Sequence, residues 1–237
     1  TYGTKKIKPV NKVIGPGNQF VSAAKKEVSG DIGIEAMTAG PSEVLIVADK
    51  SSNPEWLASD LLGQAEHDQL AQCILISKDK NILEKTKKEV FEQLKNLPRS
   101  SIAKKSLMMN GILIYANSDK KIIEITNKIG PEHLELNVKN YKSFVAKIKN
   151  AGSVCLGKYA VMAMTDYGAP GSNHVLPTDS SSKYSSGLNV SEFMKKISYI
   201  TLSKKGIDKL GPSVITLANY EGLQGHAQSI VKRIRRK

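Results

Sequence analysis

Four histidines occur in the 237 residues, and each has a polar or acidic neighbour in a short string. His67 closes Gln64-Ala65-Glu66-His67, and His133 lies in Pro131-Glu132-His133-Leu134-Glu135-Leu136. His174 lies in Asn173-His174-Val175-Leu176-Pro177-Thr178, and His226 closes Glu221-Gly222-Leu223-Gln224-Gly225-His226. Imidazole is the usual neutral metal ligand and the side chain that titrates nearest neutrality. Histidine used this sparingly, beside other ligand types, points to one shared site.

Each string also has a plainer reading. Gln64 and His67 are three apart at a predicted helix end and share a face; a capping histidine has the same address. Glu132 beside His133 offers a water activator and a proton carrier, or a solvent-facing turn. Asp166, in Thr165-Asp166-Tyr167-Gly168, is a ligand or a turn residue, and His174 a ligand or a structural histidine. Glu221 and His226, five apart, point in different directions on a regular helix, which Gly222 and Gly225 weaken. Taken together these are nitrogen and oxygen donors suited to zinc, which polarises an alcohol or carbonyl oxygen when one coordination position stays open. Gly15-Pro16-Gly17-Asn18 precedes a helix and lets backbone approach a phosphate. It lacks the third glycine of the dinucleotide fingerprint, so a tight turn serves equally well.

These residues need a scaffold, and the pattern is alternating strand and helix. Lys12-Val13-Ile14, Val44–Ala48, Cys73–Ile76, Gly111–Tyr115 and Ser153–Leu156 read as strands. Gln19–Val28, the segment from Asn53-Pro54 carrying Trp56, Leu57, Leu61 and Leu62, Asn81–Leu97, Lys120–Ile129 and Ser143–Asn150 read as helices. Such alternation predicts an α/β fold with a parallel sheet. From about Asn189 the pattern turns helical, with Tyr199–Leu202 extended and a final helix over Ser213–Arg235. Between them, Gly157–Gly187 reads as a long loop rich in Gly, Ser and Pro. It carries Asp166 and His174, which makes it a functional loop.

Composition bounds the function. Hydrophobic residues make up 40% and aromatics 5%, so the core is aliphatic. No apolar run is long enough to span a bilayer, and no membrane partner is expected. Cys73 and Cys155 sit in apolar runs and read as buried, reduced thiols of a cytoplasmic protein; their number and spacing exclude a cysteine-based zinc site. The net charge of +13 is mostly lysine spread along helices, clustered only at Lys232–Lys237. Without an aromatic-rich basic stripe it reads as a solvated surface, not as a nucleic-acid site. Thr1-Tyr2-Gly3-Thr4 does not read as a natural start, so upstream sequence is expected.

As strings, six segments in order resemble one family, the NAD-dependent, zinc-containing L-histidinol dehydrogenases. They are Gly15–Val21, Ala39–Leu45, Asp60–His67, Gly130–Leu136, Asn173–Thr178 and Glu221–Leu223. The resemblance implies oxidation of L-histidinol through L-histidinal to L-histidine, closing histidine biosynthesis. It implies Gln64, His67 and Asp166 as zinc ligands, with His226 completing the partner subunit's site in a homodimer. That assignment removes the awkward spacing of Glu221 and His226. Glu132 and His133 are implied as the acid–base pair, His133 taking the alcohol proton as hydride leaves and Glu132 activating water. Ser42, Gln64, His67, His133, Asp166, His174, Glu221 and His226 would hold the substrate, and Asn18 would contact NAD. Members are nearly twice this length. On that pattern, residues 1–43 end a Rossmann-like NAD-binding domain, 44–188 form part of a second Rossmann-like domain with the catalytic and zinc residues, and 189–237 form a helical dimer-exchange domain. The incomplete sheet would present bare apolar edges, and Tyr167–Asn173 is one residue longer than the usual family loop. A silent zinc-binding or interaction module on the same fold, and a basic nucleic-acid-binding protein, are the competing readings.

Overall fold

The computed structural model describes residues 1–15, 17, 19–35, 40–168 and 173–234. The chain forms two compact units, Thr1–Phe193 and Met194–Lys237.

The first unit opens with β1 (Lys12–Val13), α1 (Gln19–Val28) and β2 (Gly33–Ile34); β1 and β2 pair in parallel. The main sheet follows. It is built from β3 (Glu43–Ala48), β4 (Gln72–Ser77), β5 (Gly111–Tyr115), β6 (His133–Asn137) and β7 (Ser153–Leu156), in the order β5-β4-β3-β6-β7 with every neighbouring pair parallel. The connecting helices are α2 (Pro54–Ala65), α3 (Lys80–Leu94), α4 (Ser100–Asn110), α5 (Asp119–Ile129) and α6 (Lys142–Val145). Parallel strands need helical crossovers, which cover both faces, so central strands become apolar on both sides. Val44, Ile46, Cys73 and Leu75 pack under α2, α3 and α4. Leu45, Val47, Ile74, Ile76, Leu134 and Leu136 pack with Ile122 and Phe144 on the opposite face. The outer strand β5 leaves Ile112, Leu113 and Tyr115 exposed.

The structure departs from the sequence reading in several places. The helix expected over Asn81–Leu97 is α3, which stops at Leu94, and a further helix without counterpart in the sequence reading, α4, follows it. Pro98 disfavours helical backbone at Leu97 and ends the first, and the second begins at Ser100. Helix α6 stops at Val145 instead of reaching Asn150, because the Asn127 side chain captures the backbone beyond it: Nδ2 donates to Lys147 O at 2.9 Å and Oδ1 accepts the Lys149 N–H at 2.7 Å. The Gly157–Gly187 segment is not structureless; it holds α7 (Met162–Tyr167) and a short 3-10 turn at Ser181–Lys183. Strand β6 has no counterpart in the sequence reading. Its leucines face the core while His133, Glu135 and Asn137 alternate onto the other face, and all five residues are buried.

The second unit contains α8 (Lys204–Tyr220) and α9 (Gln224–Ile234), which pack together. The single helix expected over Ser213–Arg235 is broken by Gly222 at φ +74, a left-handed conformation that glycine adopts without steric cost. Gly211 lets the pair close up: a Cβ there would lie 2.8 Å from Ile230 Cγ2. Tyr199–Leu202 forms no strand. Among the described residues, no helix is long and apolar enough to cross a membrane.

Candidate active site

The direction of the chain sets where the polar groups collect. Helix α2 leaves the carboxyl edge of the sheet after β3 and runs back to the amino edge before β4, so its end lies beside the starts of the strands. Asn53 caps its first turn through the Glu55 N–H, with Pro54 at the first helical position, where a proline's missing N–H costs nothing. Gln64 lies in its last turn, and His67 just beyond the cap residue Glu66. Helix α5 likewise ends at the amino edge. Gly130, at φ +61, closes it by donating its N–H to Thr126 O at 2.8 Å and turns the chain through Pro131 into β6. This sets Glu132 and His133 at the head of β6, beside Ser42 at the head of β3.

Seven of the residues singled out in the sequence line one cavity of about 130 Å³ there: Ser42, Gln64, His67, Glu132, His133, Asp166 and His174, with Met162 and Asn173 completing the wall. Glu132 and His133 are 7% and 6% exposed, which removes the solvent-facing turn as a reading of that pair. Asn18, together with residues 169–172 of the longer Tyr167–Asn173 loop, lies outside the described residues. Glu221 ends α8 and His226 lies on α9, both exposed within the second unit.

Glu132 is held by a reciprocal pair of hydrogen bonds. The Glu43 N–H donates to Glu132 Oε2 at 3.0 Å, and the Glu132 N–H donates to Glu43 Oε2 at 3.2 Å. Burial pushes the Glu132 carboxyl up to about 7, with the nearby Glu43 and Asp166 charges adding to it. Burial also drives His133 down to about 4, opposed by Asp166 and reinforced by His67 and His174. Desolvation disfavours whichever form is charged, so at neutral pH the imidazole is neutral and the carboxyl stands near half-protonation. His133 Nε2 lies 3.9 Å from Glu132 Oε1.

Gln64 is 1% exposed, yet neither its amide oxygen nor its nitrogen has a hydrogen-bond partner among the described residues; His133 Nδ1 is also unpartnered. Buried polar atoms left this way cost on the order of 1–3 kcal/mol each, so they are expected to meet a group supplied from outside. The donors around the cavity, an amide oxygen, imidazoles and a carboxylate, match the preferences of zinc. Among the described residues no group of three His, Cys, Asp or Glu side chains is placed to hold a metal; a ligand set of one amide, one imidazole and one carboxylate is not of that kind.

Three contributors were not singled out in the sequence. Glu43, Asp60 and Glu135 all fall inside the resembling strings; Glu43 holds Glu132, while Glu135, on an unrecognised strand, and Asp60 each bury a carboxyl oxygen without a hydrogen-bond partner among the described residues. The polar positions at 133, 135 and 137 were the available signal, a period of two inside a run that leucine alone would have filled. Cys73 and Cys155 are buried and unpaired, as expected, and burial pushes both thiols up to about 12.

Known proteins share this chain's sequence and fold. The family model described as histidinol dehydrogenase matches residues 1–234. Histidinol dehydrogenase from Pelagibacter ubique is 74% identical over 236 residues, covering 100% of this chain and 55% of the relative. That from Zymomonas mobilis is 45% identical over 232 residues, covering 98% of this chain and 54% of the relative. The crystal structure of histidinol dehydrogenase from Elizabethkingia anophelis superposes with a TM-score of 0.92 at 42% identity, covering 98% of this chain and 53% of that one. The chain thus spans about half the length of the relatives it matches, and it belongs to the histidinol dehydrogenase family.

Proposed function

We propose that this chain carries the catalytic segment of an NAD-dependent, zinc-containing enzyme that oxidises L-histidinol through L-histidinal to L-histidine. The observation that supports this most is the convergence of Ser42, Gln64, His67, Glu132, His133, Asp166 and His174 on one cavity, where buried Gln64 has no side-chain hydrogen-bond partner among the described residues. Gln64, His67 and Asp166 would hold the zinc. His226 is proposed to complete the site of the partner subunit in a homodimer, and Glu221 to bind substrate there. Zinc, when bound, supplies Lewis acidity toward the alcohol and carbonyl oxygens, and NAD supplies the hydride acceptor.

The chain's own residues carry the protons. His133 is neutral, so it can take the hydroxyl proton as the C–H electron pair leaves as hydride. Glu132, close to half-protonated at neutral pH, can take a proton from the water that adds to the aldehyde carbon, whose second hydride then departs. A carboxyl matched to the working pH serves best in this role. Ser42 and His174 line the same hollow and would orient the substrate. For NAD, the described residues offer one fitting feature: Gly15, at φ +133 with open space around it, ahead of α1. Asn18 is proposed to contact the cofactor. The proposed location is the cytoplasm.

The test is direct. Full-length protein carrying these residues, supplied with L-histidinol and NAD, should form NADH and contain zinc by elemental analysis. Zinc without NADH formation would favour a silent zinc-binding module, and absence of both would overturn the proposal. His226→Asn should lower the zinc content of the dimer; unchanged metal would remove His226 from the ligand set.

A further inference from the structure

Beneath the cavity lies a second pair of acids that the proposed chemistry does not use. Glu135 is 1% exposed on β6, on the same strand face as His133. Its Oε1 accepts the Met162 N–H at 2.7 Å. Its carboxyl lies within hydrogen-bonding reach of that of Asp60, one turn before Gln64 on α2. Asp60 Oδ2 and Glu135 Oε2 are both buried atoms without a hydrogen-bond partner among the described residues. Two carboxyls can bond only if one of them carries a hydrogen, so one proton shared between the two groups would satisfy both oxygens. Burial favours that state by raising both above the usual carboxylate range, and the Asp60 charge raises Glu135 further.

The bond to Met162 matters because of where it falls. Helix α7 has six residues, and its cap residue Val161 offers no side-chain hydrogen bond. So short a helix does not hold itself in water, and its first N–H groups need acceptors. Glu135 supplies one from the neighbouring strand, and its carboxyl also suits the positive end of the helix dipole. α7 packs against α2 and carries Asp166. The pair therefore lies among α2, which bears Gln64 and leads into His67, β6, which bears His133, and α7, which bears Asp166.

We propose that Asp60 and Glu135 are positioning residues: their shared hydrogen, with the Glu135–Met162 bond, braces α2, β6 and α7 so that the proposed zinc ligands and His133 meet at one cavity. This rests on the reading above for the identity of the metal, but the brace has its own readout. In the full-length protein, Glu135→Gln keeps both bonds, since its carbonyl still accepts from Met162 and its amide donates to Asp60. Glu135→Leu removes both. Asp60→Val leaves Met162 capped and removes only the link to α2.

Hydrogen exchange of the α7 amides, measured without metal, should be about tenfold faster or more in Glu135→Leu, near normal in Glu135→Gln, and intermediate in Asp60→Val. Zinc affinity should fall about 10–100-fold in Glu135→Leu, as for other residues that orient metal ligands, with kcat lowered more than KM is raised, and Glu135→Gln should restore both. Unchanged α7 protection in Glu135→Leu, or Glu135→Gln as impaired as Glu135→Leu, overturns the inference. If Glu135→Leu does not fold, Asp60→Val decides: normal exchange and normal zinc affinity there overturn it. A wild-type protein that binds no zinc would defeat the functional reading alone, since exchange still reports the brace.

Discussion

The two edges of the main sheet hold two very different hollows. At the carboxyl edge, Asp49, Lys78, Asp119, Val138, Lys139 and Asn140 help to line a cavity of about 440 Å³. Open doubly wound sheets ordinarily bind ligands on that side, where the strand order switches direction, here between β3 and β6. At the amino edge the cavity is less than a third of that size, yet it collects the histidines and carboxyls. What separates them is satisfaction of polar groups. At the large hollow Lys78 pairs with Asp119 at 2.5 Å, and Asp49 accepts from Ser51 and from the Lys139 N–H. At the small one, buried atoms of Gln64 and His133 lack hydrogen-bond partners among the described residues, and two ionisable groups are driven toward neutrality. Volume shows where something fits; unsatisfied buried polarity shows where something is needed.

The contrast can be broken by mutation, and the largest effect is expected in turnover. His133→Ala should lower L-histidinol oxidation by about 10²–10⁴-fold, the usual contribution of a positioned acid–base group, whereas Lys139→Ala at the carboxyl edge should change it less than about twofold. Steady-state kinetics on both variants check this, and equal losses would erase the distinction. Glu132→Gln should slow the L-histidinal step more than the first oxidation. Equal slowing of both steps, measured with each substrate separately, would remove the role of Glu132 in activating water.

The pH dependence sharpens the same point. Glu132 must be ionised to accept a proton from water, and its carboxyl titrates at about 7. The aldehyde step should therefore rise as pH increases through about 7 and level off above it. A flat profile from pH 5 to 9 would exclude Glu132 as the base. Stability should run the other way. A carboxyl whose folded pKa lies above its ordinary value stabilises the fold at low pH, and that contribution is lost as pH rises from about 4.5 toward 7. Glu132→Gln should therefore raise the melting temperature of metal-free protein at pH 8 by several degrees, corresponding to about 3 kcal/mol, and leave it unchanged near pH 4. Thermal melts at the two pH values decide. The smallest effect belongs to the carboxyl edge: Lys78→Met should cost less than about 1 kcal/mol, because the Lys78–Asp119 pair is half-exposed.

What could be read in the sequence follows the same division. β3 and β4 were legible because crossovers on both faces force unbroken apolar runs such as Val44–Ala48 and Cys73–Ile76. β6 was not, because His133 and Glu135 interrupt its leucines, and a buried acid looks like a surface residue until its partner is known. The residues that face the cavity were legible as ordered strings around histidine. Glu43, Asp60 and Glu135 were not, since each acts on another residue from a distant part of the chain: Glu43 and Glu132 are 89 positions apart. The break between α8 and α9 was signalled by Gly222, but the glycine weighed less than the helical periodicity around it.

The mirrored bonds between Glu43 and Glu132 have a further consequence. A carboxyl tied by its neighbour's peptide, while its own peptide ties the neighbour's carboxyl in turn, has no room to swing toward what it must reach. The fit then falls to the incoming molecule. Amino alcohols one methylene longer or shorter than L-histidinol, the proposed substrate, should be turned over poorly even where they bind, because the adding water would stand out of line with a base that cannot follow it.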